Sequence, residues 1–89
     1  MERATILQKA KECVCGDREE DYGTPENNFQ VIANLWNNYL NIDYITPLDV
    51  AMMMSLLKIA RIKTGKYKED SFIDLAGYAA CAGEIGGEK

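Results

Sequence analysis

The sequence predicts an all-α fold, a compact four-helix bundle in one domain over residues 1–89. Three observations carry this. Apolar residues recur at helical spacing in four separate segments. Two of those segments open on Thr-Pro, a helix-start signal. The one β-branched patch, YITPLDV (44–50), is broken by Pro47 and by the helix that Pro47 begins, so no strand is expected.

The first helix is expected over 3–15, with Ile6, Leu7, Ala10, Cys13 and Val14 on one face. Gly16 is placed to end it, which leaves GDREEDYG (16–23) as a charged loop. Thr24 then caps the second helix, Pro25 takes its first position, and Glu26 suits the positive end of the dipole. Phe29, Ile32, Ala33, Trp36 and Leu40 form its apolar stripe, and it should finish near Asn41. The third helix starts the same way at Thr46 and Pro47. Asp49, three residues after the cap, stands where a capping box carries Glu. From Leu48 to Ile62 this helix is apolar almost all round, as expected of a central helix or of the seam of an oligomer, and Met52, Met53 and Met54 supply adaptable packing. Gly65 ends it. Asp70 or Ser71 caps the fourth helix, which runs to about Ile85, and its LAGYAACAG stretch lets another backbone approach closely.

A chain of 89 residues buries a thin core, and small helical chains often complete themselves by association, so a homo-oligomer is expected. No run of about 18 apolar residues is present, so no membrane contact is expected. The opening MERATILQKAKE lacks the apolar core of a signal peptide, which points to the cytoplasm. The net charge of −4 argues against a nucleic-acid polymer as partner. Yet Lys58, Arg61, Lys63, Lys66 and Lys68 gather within residues 58–68, either to hold a small anion or to complement a helix C-terminus. Cys13, Cys15 and Cys81 have neither zinc-site nor redox-pair spacing and read as buried free thiols. Histidine is absent, which removes Ser-His-Asp and Cys-His catalysis. Any chemistry then falls to carboxylates, Lys, Tyr or a hard metal ion.

Helical geometry selects among the charges. Ser55, Lys58 and Arg61 form the one polar stripe of the third helix, facing either water or an anion. Asp70, Asp74, Tyr78 and Cys81 share a face of the fourth, opposite Phe72, Ala76, Ala79 and Gly83. Carboxylates at i, i+4 can converge on Mg²⁺ or Mn²⁺, and they can equally pair with Lys58 and Arg61 in a structural network. In the charged loop, Arg18, Asp21 and Tyr22 offer a cation, an anion and an aromatic face, and we expect a lid or wall over the Lys58/Asp74 site. Glu19 and Glu20 are assigned to solvent.

The order of REEDYG (18–23), LDVA…LKIAR (48–61) and EDSFIDLAGY (69–78) resembles an uncharacterised family of small phage and prophage proteins. That family is similar in turn to the MazG-like all-α nucleotide pyrophosphohydrolases and to phage nucleotide-modification domains. The resemblance covers about residues 12–85. It implies an oligomeric helical bundle that binds a nucleoside triphosphate through Mg²⁺ and cleaves it between the α- and β-phosphates. On it, Asp70 and Asp74 hold the metal with help from Glu69. Asp21 adds a carboxylate or positions water. Lys58, Arg61 and Arg18 hold phosphate oxygens, and Tyr22, Tyr78 or Trp36 stacks on the base. The sequence departs from those enzymes in having no E-x-x-E, and Asp70-x-x-x-Asp74 is its only approach to their second motif.

Three functions follow as expectations. One is a nucleoside triphosphate pyrophosphohydrolase. Another is a nucleotide-binding module without chemistry, for instance a sponge in phage anti-defence. The third is a structural helical oligomer whose polar stripe makes only inter-subunit salt bridges. Lost carboxylates threaten catalysis more than binding.

Overall fold

Two threonines and their following prolines set where two of the three long helices begin. In the computed structural model, which describes residues 1–87, Thr24 accepts a hydrogen bond from the Asn27 N–H at 3.4 Å and opens α3 (Pro25–Leu40). Thr46 opens α4 (Pro47–Thr64) with a full capping box. Its hydroxyl accepts from the Asp49 N–H at 3.2 Å, while the Asp49 carboxylate accepts from the Thr46 N–H at 3.0 Å. Before them lie α1 (Arg3–Glu12) and α2 (Arg18–Tyr22), joined by a π-helical turn, Cys13–Asp17; α5 (Glu69–Gly87) follows. The fold is all-α, with no strand among the described residues.

The first helical unit is longer than expected. Gly16 does not end it. The backbone runs on through the π turn, and the chain breaks only at Gly23, whose φ of 84° requires a glycine. The segment expected as a loop is therefore mostly helix. The wider turn carries one residue more than an α turn, and it brings both Val14 and Arg18 against α5.

Between α3 and α4 the connector is clamped by one side chain. Asn37 donates from Nδ2 to the Ile45 carbonyl at 3.0 Å and accepts the Ile45 N–H on Oδ1 at 2.9 Å. Asn41 turns the chain out of α3 in the left-handed conformation, at φ 56°, a position that asparagine tolerates well.

The core gathers Phe29 and Ala33 of α3, Val50 and Ala51 of α4, and Tyr78, Cys81, Ala82 and Ile85 of α5. The helix packed on most sides is α5, which meets α1, α3 and α4. Of the two roles expected for α4, central helix or oligomer seam, this corrects the first, since its buried residues are only Val50, Ala51 and Ser55. Met52, Met53, Leu56, Leu57 and Ile59 stand exposed on it. Leu7 and Leu40, expected inward, are also exposed: Leu7 lies at the edge of its stripe, and Leu40 is the last residue of α3. α5 begins at Glu69, which puts Asp70 in its first turn rather than at the cap.

Candidate functional site

The polar stripe of α4 runs from the interior to the surface. Ser55 is buried and its hydroxyl donates to the Ala51 carbonyl at 2.8 Å, satisfied within its own helix. One turn on, Lys58 lies against α5, its side chain only 13% exposed, and its Nζ stands 2.8 Å from Oδ2 of Asp74. Arg61, a turn further, is exposed at the mouth of an open concavity. That concavity, about 610 Å³, is walled by the end of α4, the connecting segment and the start of α5. Lys58, Arg61, Lys66 and Lys68 line it against Asp70 and Asp74, so four cations face two carboxylates. Its volume falls within the range of small-ligand sites.

The cations differ in what they can still do. Lys58 is held by Asp74. Among the described residues, Arg61, Lys66 and Lys68 have no carboxylate within ion-pair distance. Their guanidinium and ammonium groups can therefore meet an incoming anion with charge-assisted hydrogen bonds. The N-terminus of α5 adds the positive end of its dipole at the same place, through Asp70 and Ser71 in its first turn.

Asp70 and Asp74 share a face as expected, but the arrangement does not fit a metal held by this chain alone. Asp74 is paired with an ammonium group, which repels a cation. Among the described residues no three His, Cys, Asp or Glu side chains stand close enough to hold a metal ion.

Arg18 lies on the other side of Asp74. Its Nη2 donates to the Tyr78 hydroxyl at 3.2 Å, and its Cζ sits 5.2 Å from the centre of the Tyr78 ring. With Asp74 and Tyr78 it lines a recess of about 10 Å³, room for about one water. The REEDYG segment is thus a wall to Asp74 through Arg18 alone. Asp21 and Tyr22 are exposed and do not line the concavity. Tyr78 is buried against Phe29, and Trp36 packs on the core. Neither presents a face to the concavity.

The aromatic ring best placed beside the cations is not among those the sequence singles out. Tyr67 sits between Lys66 and Lys68, is exposed, and leans on Phe72 with ring centres 5.6 Å apart. With Lys68, Glu69 and Asp70 it lines a shallow surface next to the concavity. KYK, an aromatic interleaved with cations, was the available signal. Lys66 and Lys68 themselves stand out in the sequence only as part of the basic cluster.

The thiols also divide. All three are free; Cys81 is buried, Cys13 partly so and Cys15 exposed, so the expectation of buried thiols holds fully for Cys81 only. Burial pushes the Cys81 thiol above its ordinary 9.0, and the nearby Arg18 opposes this only in part. No described helix is long and apolar enough to cross a membrane.

Residues 5–86 match the sequence model of a family described as a domain of unknown function (DUF6378). The chain is 46% identical over 81 residues to the Gene 55 protein of Mycobacterium phage D29, covering 91% of this chain and 53% of that protein. It is 47% identical over 75 residues to the Gene 55 protein of Mycobacterium phage L5, covering 84% of this chain and 48% of that protein. The chain thus spans about half the length of these two relatives. No solved structure matches it.

Proposed function

We propose that this chain, which belongs to the DUF6378 family, binds a nucleotide in the basic concavity between α4 and α5 and holds it without cleaving it. One observation carries the reading. In a chain of net charge −4, Arg61, Lys66 and Lys68 converge on one concavity with no carboxylate partner among the described residues. A phosphate chain supplies the missing negative charge, and Tyr67 offers an exposed face for a base. That the anion is a nucleotide rather than free phosphate rests on the resemblance to the MazG-like enzymes. Asp74 supports retention over cleavage: with Lys58 as its partner, it is not poised to hold Mg²⁺. For a phage such a module would serve as a sponge for a host nucleotide signal. Association of copies through the exposed apolar side chains of α4 completes this reading.

The test is equilibrium dialysis against a panel of nucleoside triphosphates and cyclic nucleotides with Mg²⁺, followed by denaturation and chromatography of the released ligand. Intact ligand recovered from the protein supports the proposal. Monophosphate and pyrophosphate would replace it with Mg-dependent cleavage at Asp70 and Asp74. The double variant Arg61→Ala/Lys68→Ala is expected to weaken binding by at least about tenfold, two charge-assisted contacts being removed. Equal binding by this variant and the wild type would refute the site.

A further inference from the structure

We infer that α4 pairs with α4 of a second copy, antiparallel, about a two-fold axis at Leu56. This deepens the association proposed above by naming the face, the direction and the register. It stands whether or not a nucleotide binds.

The exposed arc of α4 is organised symmetrically about Leu56, itself 63% exposed. At about 100° per residue, Met52, Met53, Ile59 and Ala60 all fall within about 60° of it, two on the N-terminal side and two on the C-terminal side. All are exposed. Asp49 and Lys63 fall within about 20° of it at the two ends of the stripe, which is roughly 21 Å long. Both are exposed too, with opposite charges at equal distances in sequence from Leu56.

A two-fold axis at Leu56 therefore sets Leu56 against Leu56, Met53 against Ile59, Met52 against Ala60, and Asp49 against Lys63 of the second copy, twice. Side-by-side parallel pairing would set Asp49 against Asp49 and Lys63 against Lys63. The charges thus select the antiparallel arrangement, and a self-complementary patch is what a closed dimer needs. Asp49 keeps its capping role, since only Oδ2 is engaged with the Thr46 N–H. Met52, Met53, Leu56 and Ile59 leave on the order of 400 Å² of apolar surface open per chain. Two copies bury about twice that from these residues alone, and the flanking side chains carry the total toward the roughly 1,200 Å² where stable interfaces begin. Lys58 lies about 160° around the helix from Leu56, so the pairing leaves the basic concavity open.

Sedimentation equilibrium of the whole chain tests this, with circular dichroism to confirm helicity. The wild type is expected to be a dimer. Leu56→Glu, at a solvent-facing site that the monomer fold does not use, is expected to weaken dimerisation by at least about 100-fold. Leu35→Glu, on exposed α3, is the control and should leave the dimer intact. The orientation is read by charge reversal. Asp49→Lys and Lys63→Glu should each dimerise poorly alone, and an equimolar mixture of the two should recover a heterodimer, because only there do both end contacts join opposite charges. Three results would overturn the inference: a wild type that stays monomeric, a dimer that survives Leu56→Glu, or a mixture that associates no better than its components. Loss of nucleotide binding with the dimer intact would count only against the function proposed above.

Discussion

Asp74 is the residue at which the two chemistries open to the concavity make opposite predictions. If it holds a metal, Asp74→Asn removes a ligand and weakens nucleotide binding. If its role is to hold Lys58, the same change frees an ammonium group and removes a negative charge from the site. We expect the second: Asp74→Asn tightens nucleotide binding by roughly tenfold, about the worth of one added charge-assisted contact, as read by isothermal titration. Lys58→Met should weaken it. Cys81 carries a second prediction. Burial holds its thiol above its ordinary 9.0, so in the folded chain it stays protonated where the unfolded chain has begun to ionise. The folded state then binds more protons, and stability falls as pH rises through 9.0 toward the raised value. Denaturant titrations between pH 8 and 11 should show this loss in the wild type and a shallower one in Cys81→Ala. The difference between the two isolates the contribution of Cys81. A matching slope in both proteins would show that Cys81 contributes nothing to the loss.

The π turn and α5 meet at a glycine, and the contact makes an element-scale prediction. A Cβ on Gly77 would stand 2.9 Å from Cγ1 of Val14, a short β-branched side chain with little freedom to move. Gly77→Ala should therefore destabilise the fold by about 1–2 kcal/mol, overpacking outweighing the gain in helix propensity. Gly83, six residues along the same helix, has nothing within 4 Å of the same position. Gly83→Ala should stabilise by up to about 1 kcal/mol, and urea titrations of the two variants check both signs. What the sequence made legible at this scale was local. Thr24-Pro25 and Thr46-Pro47 announce helices because cap and dihedral are set by neighbours in sequence, and the capping box at Asp49 was readable from spacing alone. Gly16 misled because whether a glycine ends a helix depends on the next hydrogen bond, and here the backbone widened to a π turn instead. The direction of the Ser55–Lys58–Arg61 stripe was equally hidden. A polar stripe points to water or to a buried partner, and only the packing of α4 on α5 decides. Tyr67 is not legible because nothing in the sequence says that the connector after Gly65 folds back beside Lys58 and Arg61, so Tyr22, Tyr78 and Trp36 stand out instead.

At the scale of the whole molecule, the sequence announced a thin core and a helix with apolar residues on every side, but could not say which molecule covers them. The structure makes the shortfall concrete. Phe29 and Val50 are the largest side chains that are fully buried, while Leu56, Leu57, Met52, Met53 and Ile59 remain open on α4. If a second copy closes that face, folding and association are linked equilibria, and the melting temperature must depend on protein concentration. Each tenfold dilution of such a dimer should lower Tm by about 4 °C, given the unfolding entropy expected for two chains of this length. Leu56→Glu should melt lower and show no such dependence, because its unfolding is then unimolecular. Differential scanning calorimetry over two decades of concentration separates these behaviours. A wild-type Tm that does not move with dilution would mean that the monomer core suffices and that the face on α4 serves something other than a second copy.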